Sequence, residues 1–244
     1  MVVLLTGGSR GIGASAVRAL HRDGASVVFT YASNAESAAH LARELGERAT
    51  ALHCDLADHE SLPEVVEACA ARYGHIDVLV NNGAIFEDNP FFDNDYAAWR
   101  RGWERTFSIN LFGTVNLTYL VLQRMRAQGF GKILNIASRA AHRGETTVAD
   151  YGASKAALVN FTKSVARSCG PFGIKAIAIA PGFIETDMAG PDLSTRRAEL
   201  EAEVPLGYIG SADDVGEVIA FFASSKGDYA SGATIDLNGG SYVR

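Results

Sequence analysis

Short apolar runs alternate with longer mixed segments along this chain of 244 residues. The runs occupy residues 2–6, 26–31, 50–53, 78–80, 133–137, 176–180 and 234–237. Each has strand length and is almost continuously apolar, the pattern of strands buried on both faces. Helix-length segments rich in Ala, Leu, Glu and Arg lie between most of them. The alternation predicts a parallel sheet covered by helices on both sides. No linker, repeat or low-complexity segment interrupts it. The expectation is a single α/β domain over residues 1–244, a doubly wound parallel sheet of about seven strands. Ligands of such sheets bind outside the carboxyl ends of the strands. The polar motifs of the chain fall at those ends: after the first run, at Asp55, at Asn81-Asn82, at Ser138 and at Pro181-Gly182.

Composition narrows the function. The net charge is -6 and no basic run is present, which argues against a nucleic-acid partner. The apolar runs are too short to cross a bilayer, so no membrane partner is expected. The opening Met-Val-Val-Leu-Leu-Thr breaks at Gly7-Gly8 and lacks a charged start, so it reads as a buried strand and not as a leader. Three scattered cysteines, Cys54, Cys69 and Cys169, suit reduced packing residues of a cytoplasmic protein. The six histidines make no ligand spacing, and no metal is expected.

Two motifs carry chemistry. Thr6-Gly-Gly-Ser-Arg-Gly-Ile-Gly13 joins the first strand to the first helix. A diphosphate needs close backbone approach, free amides and the positive end of a helix dipole. Gly7, Gly11 and Gly13 permit that approach, and Ser9 and Ile12 lie in the same turn. The alternative is a glycine-rich turn with no ligand. In Tyr151-Gly-Ala-Ser-Lys155, residues four apart share a helix face. A free phenol titrates near pH ~10. A neighbouring ammonium is expected to lower that value and make Tyr151 an acid/base. A surface pair with no chemistry is the bland alternative.

Together these residues carry a resemblance. Thr-Gly-x-x-x-Gly-x-Gly, Asn81-Asn-Gly-Ala84, Ser138 and Tyr151-x-x-x-Lys155 are similar in order and spacing to the short-chain dehydrogenase/reductase family. The likeness runs from Val2 to Asp236-Leu-Asn-Gly-Gly240. Around Ala180-Pro-Gly-Phe-Ile-Glu-Thr-Asp-Met188 it resembles the 3-oxoacyl-(acyl carrier protein) reductase branch. The resemblance implies a Rossmann-type fold, a nicotinamide cofactor, and a small carbonyl or alcohol substrate. It implies Ser138, Tyr151 and Lys155 as catalytic residues, with Asn110 holding a water that relays protons to Lys155. It assigns Asp55, followed by Leu56, to adenine. Asn82, Gly83, Pro181 and Gly182 line the cofactor, and Ile184 and Thr186 meet its carboxamide. For Asn110, Asp55 and Thr186, simple packing or helix capping are the alternatives.

The cofactor type is read from charge. The second strand ends Val-Val-Phe-Thr-Tyr31-Ala-Ser33-Asn34, with no acid before Glu36. Arg10 stands in the glycine loop and its fork suits a phosphate, while Ser33 and Asn34 add neutral donors. NADP(H) is therefore expected over NAD(H). Glu36 is expected in the first turn of the next helix, where acids are favoured.

Several features bear on substrate and assembly. Asn81-Asn82-Gly83-Ala84 inverts the family's usual Ala-Gly, so a positive φ at the last position would strain Ala84. Phe86, Phe91, Phe92, Phe183 and Trp99 are candidates for the pocket mouth, and residues 87–98 form a longer segment than usual. Arg139, His142 and Arg143 either face an anionic substrate or lie in a solvated loop. The resemblance implies arginines for a carrier protein where this chain reads Gln128-Gly-Phe-Gly131 and Pro171-Phe-Gly173, which argues against that partner; Arg124, Arg126 and Lys132 are the candidate substitutes. Residues 183–210 read as a lid. Ala153, Ala157, Phe161 and Val165, with the apolar stretch 111–125, give helices apolar beyond one stripe. The resemblance implies a homotetramer of D2 symmetry, the alternative being burial against the chain's own sheet. Sugar, steroid or other alcohol dehydrogenases are the enzymic alternative, and a non-catalytic NADPH-binding regulator the other.

Overall fold

A computed structural model describes residues 1–186 and 193–243. Its strands are β1 (Val2–Leu5), β2 (Ser26–Tyr31), β3 (Ala49–His53), β4 (Val78–Asn81), β5 (Gly131–Ile136), β6 (Ile174–Pro181), β7 (Ile184–Glu185), β8 (Gly210–Ser211) and β9 (Thr234–Leu237). The helices are α1 (Gly11–Arg22), α2 (Ala35–Leu45), α3 (Leu62–Tyr73), α4 (Tyr96–Phe107), α5 (Thr114–Gln128), α6 (Ala149–Cys169), α7 (Leu193–Ala202) and α8 (Ala212–Ala223). Seven strands form one parallel sheet in the order β3-β2-β1-β4-β5-β6-β9, and β7 pairs with β8 apart from it. The order reverses between β1 and β4, which opens a crevice at their carboxyl ends.

Alternate strand residues face opposite layers. Val3 and Leu5 pack with Val17 and Leu20 of α1 and with Val215 and Ile219 of α8. Val2 and Leu4 pack with Val66 of α3 and with Leu117 and Val121 of α5. The sheet is thus covered on both sides, as the continuous apolar runs require.

Two strands begin earlier than hydropathy indicates, because Lys132 and Lys175 lie inside them. Lys132 is only 5% exposed. Its ammonium donates to the carbonyls of Phe222 (2.8 Å) and Ser224 (2.5 Å) at the end of α8 and meets Asp228 (2.6 Å). A lysine so engaged closes a helix terminus and is not available to a carrier protein. Arg124 likewise pairs with Glu67, and Arg126 lies over the Phe172 ring.

The stretch 183–210 is not a plain loop: it holds β7, α7 and the approach to β8. Met188 and the rest of 187–192 lie outside the described residues. Among the described residues, no helix is long and apolar enough to cross a membrane.

Candidate active site

The glycine loop leaves β1 and enters α1. Gly7 and Gly11 have φ of 69° and 52°, where a side chain would be strained. A Cβ at Gly13 would stand 2.0 Å from the Gly7 carbonyl oxygen, so only glycine fits there. Arg10 precedes α1 in extended backbone with no side-chain cap, and no acid lies in the first turn. The positive end of α1 is therefore left open to an anion. Ser9 and Arg10 line a cleft with Gly11, Ser37 and His40. Thr186 arrives over the loop, its methyl 3.3 Å from a Cβ placed on Gly11. These features fit a dinucleotide diphosphate.

Thr6 and Asn82 lock the loop to β4. The Thr6 hydroxyl accepts from the amides of Asn82 (3.0 Å) and Gly83 (2.9 Å), and Asn82 Nδ2 donates to the carbonyls of Thr6 and Gly7 (3.0 Å each). Gly83 packs against Leu56 Cδ1, where a Cβ would come within 3.0 Å. Among the described residues no side-chain-bearing position has positive φ, so the strain expected at Ala84 is absent. The inverted pair puts the small residue against Thr6 and Leu56.

The remaining cofactor candidates flank this loop. Ser33 and Asn34 follow β2, but Asn34 Oδ1 caps α2 by accepting from Ser37 N (3.1 Å). Glu36 lies in the first turn of α2. Asp55 accepts from Ala57 N (2.9 Å) in a tight turn, well before α3, so it caps no helix. Pro181 ends β6, and the Gly182 amide donates to Leu237 O (2.9 Å). Ile184 is buried in β7.

Ser138 and the helix α6 bring the second group together. Ser138 follows β5 and accepts from Ala140 N (3.1 Å). The Lys155 ammonium, 3% exposed, donates to Ile136 O (2.8 Å) and lies 5.6 Å from the centre of the Tyr151 ring. Asn110 sits in a π-helical turn, Ser108–Gly113, that joins α4 to α5. Its side chain clasps Ile85 from both sides, accepting from Ile85 N (2.8 Å) and donating to Ile85 O (2.9 Å). A weaker contact reaches Ser154 Oγ (3.4 Å).

The electrostatics correct one expectation. Burial pushes the Tyr151 phenol up to about 12, while its hydrogen bond with Ser138 pulls down and the charge of Glu145 pushes up. Burial also lowers Lys155 to about 8. Lys155 does not depress Tyr151 here, because desolvation disfavours both charged forms. Tyr151 is thus a protonated phenol at neutral pH. It shares a hydrogen bond with Ser138, and the Lys155 ammonium stands beside its ring.

Arg139 is buried, and both Arg139 and Arg143 are engaged by acids of the chain itself. Arg139 contacts Glu145 (3.8 Å) and Glu203 (3.4 Å), and Arg143 contacts the same two acids (3.4 and 3.5 Å). His142 stacks on Tyr242. Sequence reasoning also missed Asp150, buried at 1% exposure beside Tyr151. Its only sequence signal is an acid in a first helical turn, which reads as a dipole partner.

A family described as Enoyl-(Acyl carrier protein) reductase matches residues 7–242. The 3-oxoacyl-(acyl carrier protein) reductase of Salmonella typhimurium is 35% identical over 245 residues, 99% of this chain and 97% of that protein. An acetoacetyl-CoA reductase of Shinella zoogloeoides is 35% identical over 99% of this chain and 98% of its own. A solved short-chain dehydrogenase/reductase from Brucella melitensis, titled glucose/ribitol dehydrogenase, superposes with a TM-score of 0.91 at 32% identity. That match covers 100% of this chain and 97% of the other.

Proposed function

Because the chain belongs to the short-chain dehydrogenase/reductase family and is an oxidoreductase acting on carbonyl and secondary alcohol groups, we propose that it reduces a 3-oxoacyl thioester with NADPH. The observation that carries the chemistry is the protonated Tyr151 phenol hydrogen-bonded to Ser138 and backed by Lys155. The thioester class is supported by the printed activities of the two reductases described above. When bound, the nicotinamide supplies hydride to the carbonyl carbon. Ser138 and Tyr151 hold the carbonyl oxygen between two hydroxyls, and Tyr151 gives it a proton as charge develops there. Lys155 stabilises the resulting phenolate and offers its remaining donors to the nicotinamide ribose. Asn110 fixes the turn at Ile85 and orders water toward Lys155. Screening NADPH oxidation against acetoacetyl thioesters, diketones, quinones and sugars tests the reading. Turnover confined to sugars would reject the thioester class.

Arg10 is the residue proposed to select NADPH. It is exposed at the loop, the first turn of α1 carries no acid, and of the two acids that line the same cleft, Glu36 and Asp213, the latter is engaged by the Ser15 hydroxyl. Arg10→Ala is expected to weaken NADPH by about 1.5–3 kcal/mol, the range for a hydrogen bond to a charged group, and to leave NADH nearly unchanged. Fluorescence titration of both cofactors checks this, and equal losses would exclude Arg10 as the phosphate reader.

The assembly proposed is a homotetramer with α5 and α6 at one interface. Phe112 and Tyr119 are 52% and 62% exposed, and Ala153, Ala157 and Phe161 of α6 are only partly covered, whereas Val165 is buried in the chain's own core. Apolar residues grouped on helix faces call for a partner. Light scattering after size exclusion should give four times the 25.9 kDa of one chain. A stable single-chain mass would exclude it.

A further inference from the structure

The segment between β4 and α4 contains neither helix nor strand, yet it is held at two points. Asn110 grips Ile85 from both sides. Four residues on, Asn89 is 5% exposed. Its amide donates to Thr147 O (2.7 Å), and its Nδ2 donates to Trp99 O (3.0 Å) and Asp150 Oδ2 (3.3 Å). Asp150 accepts further from Thr106 Oγ1 (2.9 Å) and from Tyr151 N (2.9 Å). A buried carboxylate with this many donors is a fixed post. The same acid that starts α6 at Tyr151 therefore also anchors the segment.

Phe86 lies between the two anchors. Its ring meets the Tyr151 ring edge to face, with centroids 4.9 Å apart at 85°. Such pairs are favourable beyond simple burial. Phe86 nevertheless stays 42% exposed, so it touches the proposed acid while keeping open apolar surface. Phe91, Phe92 and Trp99 behave differently. Phe91 packs toward Trp99, which continues to Trp103 along α4, and Phe92 is almost fully exposed. The cations nearest Ser138, Arg139 and Arg143, are matched by Glu145 and Glu203.

We propose that Phe86 is the specificity-determining wall of the substrate pocket, selecting carbonyl compounds with a hydrocarbon chain beside the reacting carbon over polyhydroxylated ones. The inference rests on the reductase reading above for the position of the reacting carbon at Tyr151. Hydroxyls laid against the ring would lose water without gaining hydrogen bonds, whereas a chain gains by leaving water. Asn110 and the Asp150–Asn89 pair act as positioning residues for this wall.

The test uses the full chain saturated with NADP⁺, which holds substrates without hydride transfer, and calorimetry with 3-oxooctanoyl N-acetylcysteamine thioester. Phe86→Ala should raise its Kd about tenfold, as expected for losing part of one ring contact, and Phe86→Leu by less. NADP⁺ affinity, read in a separate titration of the cofactor into each cofactor-free variant, shows that each variant is folded. With NADPH, the ratio of kcat/KM for this thioester to that for dihydroxyacetone should fall about tenfold in Phe86→Ala, mainly through KM. An unchanged Kd and ratio, or no binding of the thioester to the natural protein, overturns the proposal. Binding that is lost in Phe86→Ala, with no NADPH oxidation by the natural protein, would reject the reductase reading and support the wall.

Discussion

Tyr151→Phe is expected to lower carbonyl reduction by at least 10²–10⁴-fold, the contribution of a positioned proton donor, while NADPH still binds within a few-fold of the natural affinity. The substitution keeps the ring, its edge contact with Phe86 and its place beside Lys155. It removes only the hydroxyl that bonds to Ser138. Stopped-flow reduction together with a cofactor titration separates the two effects. Near-natural turnover in this variant would end the proposed mechanism. The phenol, held up at about 12, should remain protonated through pH 7–10, so the reductive rate should not fall there for want of the acid.

Lys155→Met is expected to lose turnover by a similar order and also to weaken NADPH, because one ammonium is proposed to serve the phenolate and the ribose. Stability should move the other way. Burial holds the folded Lys155 down at about 8, below the usual 10.5 of a lysine. Between those values the unfolded chain binds more protons, so this group's contribution to stability rises with pH from about 8 upward. Below about 8 its full desolvation cost is present, and methionine removes it. The variant should therefore unfold no earlier than the natural protein at pH 7. That advantage should shrink as pH rises from about 8 to 10.5, where the unfolded lysine also loses its proton. Thermal melts across pH measure this. A large loss of stability at pH 7 would mean that Lys155 holds the fold together and would separate its role from catalysis.

The strands were readable because burial on both faces demands continuous apolar residues, and only the sheet interior supplies that. The ends of β5 and β6 were not, since Lys132 and Lys175 look like surface residues until the end of α8 and Asp228 are placed beside them. The glycine loop was readable for a similar reason: a backbone oxygen 2.0 Å from a would-be Cβ at Gly13 leaves one residue type that fits. The environment of Arg139 and Arg143 was not, because their partner Glu203 lies some sixty residues along the chain.

What the sequence by itself determined is therefore the architecture and the nearness of Tyr151 to Lys155. Period, glycine placement and the four-residue step from Tyr151 to Lys155 are local properties, fixed by backbone geometry. Tertiary structure alone decided the state of those groups. Burial keeps Tyr151 protonated and lowers Lys155, against the simple expectation for a neighbouring pair. It also neutralises the arginines after Ser138 and sets Phe86 against the phenol. Desolvation and long-range pairing depend on what surrounds a group, and that exists only once the chain has folded.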